Sequence, residues 1–487
     1  MSETHHEHSE AELAAKKAAR PQIQRDNKYW LSLEHYAQDP EFLKLAETEF
    51  QSSPLRETDG KDGGWARREF LKLMGASLAM ASTGCLRRPI QKIVPYNKAP
   101  EEVTLGVSNF YTGAWADGSE PVALLVKTRE GRPIKMEGNP SHPLTKGGTS
   151  ARIQASILSL YDPERLQGPK KNLFNEKRTN KDTIGVSWDA LDEAVVAQLN
   201  KGGVRILTGF VHSPATRALI GDFASAFKAQ HVVWAPLAHD DLLDGQAAAF
   251  GEATVPFYRF DRAKMIVSVD ADFLGTWLMP VTFTRQFAEG RKNPETMSRL
   301  VSFDSTMSLT AANADIRYRI KPSQQVAVVL GLAHEIVVKS GRSSFAGNAT
   351  VRGLLSAYAN VAQQLGVDPS DFAKVANDLW QNRGEALVVA GGLAARTEDA
   401  RSLQIAVNFL NSVLEAEGKT VLGRSASSAL TGGYSDLEKL IAEMNSGAVK
   451  TLIIHGVNPA YALPTSAGFV EALKKVEMVI YTGDRID

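Results

Sequence analysis

Residues 131–143 read Gly-Arg-Pro-Ile-Lys-Met-Glu-Gly-Asn-Pro-Ser-His-Pro. The first half of this stretch is the second strand of a predicted β-hairpin, because the apolar run 122–128 precedes it and Glu130-Gly131 supplies the turn. The second half, from Glu137, is dense in turn-forming residues and predicts a loop. The globular part of the chain is predicted to start upstream of this hairpin, after Pro95.

Downstream of the hairpin, short apolar runs alternate with helical stretches. Residues 216–228 place Leu219, Phe223 and Phe227 at helical spacing. This alternation predicts an α/β fold with a doubly wound, mostly parallel sheet and right-handed crossovers. The predicted strands lie in seven segments: 204–209, 231–234, 261–270, 300–304, 387–392, 451–459 and 478–481.

Composition sets further bounds. The 487 residues are 43% hydrophobic, which is enough for two or three domains with sizeable cores. Lys+Arg and Asp+Glu are equal at 55 each, so no net charge attracts nucleic acid, and nucleic-acid binding is disfavoured. Cys85 is the one cysteine of the sequence. An internal disulfide framework and a cluster held by several thiolates of this chain are therefore excluded.

The sequence before residue 86 has the pattern of an export signal. Arg67 and Arg68 are adjacent, Phe70, Leu71 and Lys72 follow, and an apolar run then ends in small residues. This is typical of a twin-arginine signal, and the apolar run of about 15 residues is shorter than the roughly 20 that span a bilayer. The sequence predicts export by the twin-arginine translocase to the periplasmic side of the cytoplasmic membrane. The alternative is an amphipathic surface helix.

The end of the apolar run leaves the processing open. Residues 79–81 suit ordinary signal cleavage, whereas residues 83–85 place small residues before a cysteine that acylation could anchor to a membrane surface. Ser82 departs from the larger aliphatic residue that is usual before a lipidation site. Cys85 is the predicted lipidation site, and a free, unprocessed cysteine is the remaining alternative.

These patterns divide the chain into four predicted parts. Residues 1–66 are a polar extended leader, and 67–88 hold the signal and the lipidation site. Residues 89–170 form a small β-rich subdomain, and 171–487 form the α/β region. The chain stops soon after an apolar strand with no helix to cover it, so the α/β region is predicted to be incomplete at its C-terminus.

The quoted stretch also carries a family resemblance. Residues 131–143, followed by Tyr-Asp-Pro-Glu-Arg-Leu at 161–166, resemble the N-terminal signature of the molybdopterin oxidoreductases of the dimethyl sulfoxide reductase class. The resemblance implies a molybdopterin-oxidoreductase-like fold, with doubly wound, mostly parallel sheets and a small N-terminal β-rich subdomain. It continues through four shorter segments: 187–191, 310–315, 320–322 and 455–459.

The leader narrows the resemblance to one branch of this family. It contains Tyr-Trp-x-Ser-Leu at 29–33 and Pro-Glu-Phe at 40–42. These elements are similar to the extended twin-arginine signal of the large periplasmic molybdopterin-like/iron-sulfur subunit of alternative complex III and its relatives. The chain resembles the N-terminal portion of such a subunit. In that branch the remaining part ends in a ferredoxin-like region that holds iron-sulfur clusters.

Departures from the family pattern bear on the chemistry. Family members with a cluster near the pterin carry cysteines before the hairpin and a fourth shortly before a basic residue. Here residues 110–121 contain no cysteine, and Ser150 occupies the fourth position. A serine hydroxyl does not replace a thiolate, so this domain is predicted not to bind that cluster. Arg152 matches the basic residue between cluster and pterin, and its alternative role is a structural salt bridge.

Two acidic residues are the other cofactor-binding candidates. Asp270 and Asp272 follow a predicted strand, and ligands of open parallel sheets bind at strand ends. The resemblance implies that they meet the ribose of a pterin cofactor's guanosine, and the alternative is helix capping. The pairs Gly391-Gly392 and Gly432-Gly433 are predicted to be plain turns, and the alternative is a close approach of the backbone to phosphates. The resemblance places His455 in a structural His-Gly-x-Asn-Pro turn, and the alternative is an acid-base group. No catalytic residue and no metal ligand is predicted.

The resemblance implies a quinol-oxidising respiratory complex. In the first hypothesis the chain is a periplasmic subunit whose molybdopterin-type fold is mainly a scaffold. Its partners are integral membrane quinol-binding subunits, a multihaem cytochrome c subunit and an iron-sulfur domain or subunit. No cofactor is predicted within the chain itself; molybdopterin is left open, and iron-sulfur clusters are expected only in a C-terminal part or partner. The alternatives are an active molybdenum or tungsten bis-pterin oxidoreductase and an assembly factor without a redox role.

Overall fold

The computed structural model describes residues 101–174, 181–423 and 430–485. Every described residue belongs to one compact unit, Lys98–Asp487. The predicted leader and export signal lie outside the described residues, as do the residues assigned to them: Arg67, Arg68, Phe70, Leu71, Lys72 and Cys85.

The strands are numbered in chain order. They are β1 Ser108–Asp117, β2 Glu120–Arg129, β3 Arg132–Gly138, β4 Lys170–Phe174, β5 Lys181–Gly185, β6 Val204–Thr208, β7 Gln230–Val233, β8 Phe257–Tyr258, β9 Met265–Val269, β10 Arg299–Asp304, β11 Ile316–Arg319, β12 Ala386–Ala390, β13 Val421–Leu422, β14 Thr451–His455 and β15 Met478–Thr482.

The α-helices are numbered in the same way. They are α1 Ala151–Ala155, α2 Trp188–Leu199, α3 Pro214–Phe227, α4 Asp240–Phe250, α5 Pro280–Gly290, α6 Leu309–Ala312, α7 Gln325–His334, α8 Ala349–Ser356, α9 Val361–Leu365, α10 Pro369–Gln381, α11 Ala400–Val413, α12 Tyr434–Asn445, α13 Pro459–Ala462 and α14 Phe469–Leu473. Short 3₁₀ turns also occur, and a π turn, Glu335–Lys339, follows α7.

The predicted hairpin is confirmed. Strands β2 and β3 pair antiparallel across a two-residue turn, in which Glu130 and Gly131 have φ values of 53° and 76°. Positive φ at both turn residues matches the right-handed twist of the paired strands. Strand β1 adds to the other side of β2, which gives a three-stranded antiparallel sheet. Its buried face, with Val122 and Leu124, packs on Ile153 of the segment after the loop.

Two four-stranded parallel sheets make up the rest of the frame. The β9 sheet has the order β11-β10-β9-β12, and the β6 sheet has the order β15-β14-β6-β7. The prediction of a mixed α/β fold with parallel sheets is therefore confirmed. The β6 sheet is discontinuous in sequence, because the whole β9 sheet lies in the chain between β7 and β14.

The β9 sheet is buried on both faces, as parallel sheets usually are. Val267 and Val269 point into a core that includes Leu332 of α7 and Leu410 of α11. Ile266, which points to the opposite face, belongs to an aromatic core. The main rings of that core are Tyr258, Phe260, Phe273, Trp277, Phe283 and Phe287.

Side chains close the free edge of β12. The Asn411 amide on α11 accepts from Val388 N at 3.0 Å and donates to Val388 O at 2.9 Å. Gln404 Nε2 donates to Ala390 O at 2.9 Å, and Thr420 Oγ1 donates to the carbonyl of the first β12 residue at 2.7 Å. Buried backbone groups need such partners, so these side chains take the place of a further strand.

The turn between β1 and β2 fastens the antiparallel sheet to both parallel sheets. Glu120 is fully buried, and its two carboxylate oxygens accept from Val281 N and Thr282 N, each at 2.8 Å, at the start of α5. Gly118 O is 3.0 Å from Nε2 of His212, which lies between β6 and α3. The turn and the first residue of β2 thereby connect the antiparallel sheet to α5 and to the segment that follows β6.

Predicted helix boundaries were close. The helix predicted at 216–228 extends over Pro214–Phe227, because Ser213 caps it by accepting from Thr216 N and Pro214 suits the first turn. The helical stretch after residue 150 is divided into α1 and a 3₁₀ segment, Ser156–Tyr161. The predicted boundary between a β-rich subdomain 89–170 and an α/β region 171–487 stays a prediction.

Candidate functional site

The order of strands in the β9 sheet reverses beside β9. Strand β10 lies on one side of β9 and β12 on the other. Ligands of open α/β sheets bind at the carboxyl ends of the strands where the order reverses. We call this place, formed by the loops 270–279 and 391–396, the β9–β12 junction. Asp270 and Asp272 both lie in it, at the strand end where the sequence predicted a binding site.

The protein itself saturates the carboxylate of Asp270. Its Oδ1 accepts from the backbone N and the Oγ of Ser305, at 2.8 and 2.9 Å. Its Oδ2 accepts from Gln325 Nε2 at 2.6 Å, and the side chain is 7% exposed. The carboxylate therefore holds together the ends of β9 and β10 and the start of α7. This arrangement leaves it little capacity for a ligand.

Asp272 has a similar role one step further along the loop. Its Oδ1 accepts from Thr310 N at 3.0 Å and from Thr310 Oγ1 at 3.1 Å, and its Oδ2 accepts from Thr276 Oγ1 at 3.2 Å. Its backbone carbonyl accepts from three amides of the same loop. The cofactor-binding role of Asp270 and Asp272 stays a prediction, and their hydrogen bonds argue against it.

Asp304 is a third carboxylate at this end of the sheet, and it was not predicted from the sequence. It is 1% exposed, and the hydroxyl of Ser302 donates to it. Burial, together with the nearby charges of Asp270 and Asp272, raises the pKa of Asp304 to about 6, although the Ser302 bond and Arg317 act in the opposite direction. An aspartate at the end of a strand gives no sequence signal of such burial.

We expect replacement of Asp304 by asparagine to change the pH dependence of stability. The folded chain binds this proton more tightly than the unfolded chain, so Asp304 favours folding below about pH 4 and loses that contribution as pH rises through about 6. D304N should therefore gain about 3 kcal/mol in the free energy of unfolding at pH 8, and little at pH 4. Urea unfolding of both proteins at the two pH values measures this, and an equal difference at both would contradict it.

Trp277 lies over the β9–β12 junction. The side chain is 3% exposed, and its ring centroid is 5.3 Å from that of Tyr258. Gly391 follows β12 directly, and a Cβ placed on it would overlap the indole Nε1 of Trp277. The backbone at Gly391-Gly392 is therefore closely approached, as the alternative to a plain turn predicted. The group that approaches it is Trp277 of the same chain and not a phosphate.

A nucleotide does not fit the residues present at this junction. A guanosine there would need a carboxylate with free acceptor capacity and backbone open at the strand ends. The Asp270 carboxylate has three donors from the protein, and the indole of Trp277 covers Gly391. The residues at this junction therefore do not fit a pterin cofactor.

The carboxyl end of the β6 sheet lies close to His239, a histidine that no sequence pattern singled out. The rings of Phe210 and His239 are stacked, with centroids 6.0 Å apart and an interplanar angle of 7°. Burial, and to a lesser extent the charge of Arg396, lowers the pKa of His239 to about 4, so its imidazole is neutral at physiological pH. Arg396 donates to Pro236 O and Ala238 O, each at 2.8 Å. Arg396 thus ties the loop after β12 to the segment after β7.

The remaining predicted residues are dispersed. Arg152 is exposed on the five-residue helix α1. The hydrogen-bond donors to Asp270 are Ser305 and Gln325, which lie in other segments. Ser150 caps that helix by accepting from Ile153 N at 3.2 Å. His455 is the last residue of β14, directly before Gly456, and its Nδ1 is 2.7 Å from Thr482 Oγ1 at an exposed position of the β6 sheet. The structure therefore does not gather these residues into one site.

Neither a metal site nor a membrane span is found in the part of the chain that the structure describes. Within 101–174, 181–423 and 430–485, no three His, Cys, Asp or Glu side chains are placed to hold a metal ion. No helix in these ranges is both long and apolar enough to cross a bilayer. A groove of about 600 Å³ lies at the opposite, amino end of β9 and β12, where ion pairs such as Lys264–Glu385 at 2.7 Å neutralise its charges.

Comparison with known proteins identifies relatives among respiratory oxidoreductases. No protein-family model matches the chain. The menaquinone reductase, molybdopterin-binding-like subunit, of Nitratidesulfovibrio vulgaris is 26% identical over 392 residues, which cover 73% of this chain and 53% of that protein. The thiosulfate reductase molybdopterin-containing subunit of Salmonella typhimurium is 24% identical over 320 residues, or 60% of this chain and 40% of that protein. These curated relatives are molybdopterin-binding oxidoreductase subunits, and the similarity is consistent with the molybdopterin oxidoreductase family.

Other similar proteins match shorter parts of the chain or match it more weakly. A sulfite dehydrogenase subunit from Allochromatium vinosum is 26% identical over 264 residues, which cover 50% of this chain and 24% of that protein. The chain thus spans about half the length of the first relative and less of the others. A chain of the formyltransferase/hydrolase complex from Methylorubrum extorquens is 12% identical, with a TM-score of 0.31 over 62% of this chain and 85% of that chain.

Proposed function

We propose that the chain is a subunit of a quinol-oxidising respiratory electron-transfer complex of the alternative complex III type, in which its molybdopterin-type fold acts mainly as a scaffold. The relatives support the respiratory part of this proposal, because one of them is named as the molybdopterin-binding-like subunit of a menaquinone reductase. The doubly wound arrangement of the family is part of the proposal and accords with the two parallel sheets.

The main observation in support of the scaffold role is that the Ser150 hydroxyl caps a helix. The family resemblance places a cluster-binding cysteine here, but the Ser150 hydroxyl is used to cap α1 through Ile153 N. A serine cap stabilises a helix start by about 1 kcal/mol and supplies no electron-transfer ligand. Since Cys85 is the sole cysteine of the sequence, no other thiolate of this chain can replace it.

The anchored frame suits a docking role. The buried Glu120 carboxylate fixes the β1–β2 turn to α5, and Arg396 ties the carboxyl ends of the two parallel sheets to each other. Such contacts keep the surfaces of the subunit at fixed distances and orientations. A subunit that positions redox partners needs this rigidity. We propose as partners integral membrane quinol-binding subunits, a multihaem cytochrome c subunit and an iron-sulfur domain or subunit.

The proposal includes a location. The twin-arginine pattern at Arg67 and Arg68 and the small residues before Cys85 support export and attachment to the periplasmic side of the membrane. Substituting Arg67 and Arg68 by lysine should leave the chain in the cytoplasm. Substituting Cys85 by alanine should release it from the membrane without blocking export.

Metal analysis of the purified native complex tests the scaffold role. We expect molybdenum and tungsten well below one atom per chain, and co-purification with haem-staining cytochrome and membrane subunits. A variant with a truncated export signal, which should not assemble into the complex, is the matched control for metal that contaminates the preparation. Stoichiometric molybdenum or tungsten, together with substrate turnover by the isolated chain, would reject the scaffold role in favour of an active enzyme.

A further inference from the structure

The β9–β12 junction is closed by its own loop. The segment 270–279 leaves the end of β9 and folds back over the strand ends before α5 begins. Trp277 lies at its far end against Gly391, and the backbone NH groups of Thr276 and Trp277 both donate to Asp272 O at 2.9 Å. The loop therefore has a defined conformation with its indole directed into the junction.

Two residues of the loop have unfavourable backbone conformations. Asp270 and Leu278 have φ values of 52° and 55°, a region that residues with a Cβ seldom occupy. Each unfavourable conformation persists only where surrounding contacts over-determine it. At Asp270 these contacts are the hydrogen bonds to Ser305 and Gln325, and the carbonyl of Leu278 accepts from the hydroxyl of Ser119.

The indole has no face free for stacking on a base. Trp277 is 3% exposed, and its ring centroid is 5.3 Å from that of Tyr258 and 6.1 Å from that of Phe283. Gly391 fills the position beside Nε1. An aromatic side chain that binds a nucleotide by stacking must present one open face, so this geometry disagrees with a platform for a ligand.

We propose that Trp277 is a built-in plug that occupies the nucleotide position of the β9 sheet and turns a ligand crevice into a rigid part of the core. The inference rests on the proposed scaffold function and deepens it. A plug of this kind gives the frame the cohesion that a bound dinucleotide would otherwise provide. Gly391 is the partner residue that makes room for it.

Thermal unfolding of the full chain, with two small-molecule probes, tests the plug. The variants are W277A, which empties the junction, and F287A, which removes another buried ring of the same aromatic core, one that packs on Phe273. Guanosine diphosphate is the nucleotide probe, and indole is the probe for the emptied site. Cavities lined by apolar side chains bind small aromatic molecules, and binding to the folded state raises the melting temperature.

The expected result is that guanosine diphosphate leaves the melting temperature of the wild type unchanged. Indole should raise that of W277A by several degrees and that of F287A by less, because the cavity left by a phenyl ring is smaller than an indole, and it should leave the wild type unchanged. If W277A does not fold, W277L with benzene carries the same test, because leucine leaves a smaller cavity. An increase caused by guanosine diphosphate in the wild type, or no effect of the aromatic probe on the emptied site, would overturn the plug.

Metal content of the same preparations separates this inference from the proposed function. Stoichiometric molybdenum together with rescue of W277A by indole would overturn the scaffold role alone, because a cofactor would then be bound elsewhere in the protein. A metal-free wild type that binds guanosine diphosphate would overturn the plug alone.

Discussion

Replacement of Glu120 by alanine is expected to lower the free energy of unfolding by about 3–4 kcal/mol. The carboxylate is fully buried, and it is the acceptor for Val281 N and Thr282 N at the start of α5. Alanine would leave both amides buried without these acceptors, and each hydrogen bond to a charged group contributes about 1.5–3 kcal/mol. The negative charge also interacts favourably with the helix N-terminus.

The surface residue Glu137 provides the matched control for this prediction. Its carboxylate is 3.3 Å from Lys135 Nζ, and both side chains are substantially exposed. E137A should change stability by less than about 0.5 kcal/mol, since exposed ion pairs contribute little. Urea unfolding followed by circular dichroism compares the two variants. A loss in E120A no greater than in E137A would show that the β1–β2 turn does not anchor the antiparallel sheet to α5.

Replacement of Asn411 by leucine should cost about 3 kcal/mol. Leucine has nearly the same volume, so the change removes the hydrogen bonds to Val388 N and Val388 O and little packing. Both backbone groups belong to a fully buried strand, and neither could reach water without disruption of the core. Each unpaired group lowers the free energy of unfolding by about 1–3 kcal/mol, and the destabilised element is the edge strand β12.

Asn445 allows the same substitution at an exposed position. It lies at the end of α12 and accepts a hydrogen bond from Lys475 Nζ at 2.9 Å on the surface. N445L should change stability by less than about 0.5 kcal/mol. Native-state hydrogen exchange adds a local measurement, because the Val388 amide should lose protection in N411L. An unchanged unfolding midpoint in N411L would mean that water or another group replaces Asn411.

The elements that the sequence predicted are those with strong local patterns. Glu130-Gly131 between two apolar runs has the local chemistry of a two-residue turn, and that turn formed. The apolar runs around Val267 and Ile453 predicted buried parallel strands, because only strands covered on both faces are apolar at nearly every position. These patterns involve near neighbours in sequence, so one chain suffices to recognise them.

The candidate site is formed by contacts between residues that are distant in sequence. The sequence therefore predicted its contacts less well than it predicted the strands and turns. Asp270 was placed correctly at a strand end, but its donors Ser305 and Gln325 are far along the chain and have no pattern of their own. The contact of Trp277 with Gly391 likewise joins two loops more than a hundred residues apart. A glycine after a strand indicates close approach, but the sequence does not say of what.

The interrupted β6 sheet has a consequence for biosynthesis. Strand β7 ends at Val233 and β14 begins at Thr451, so β6 has no neighbour on one side until the ribosome has made the intervening chain. At about 5–20 residues per second, that delay is roughly 10–40 s. The nascent polypeptide therefore presents an unpaired apolar strand for much of its translation, and a holding chaperone has a defined interval in which to cover it.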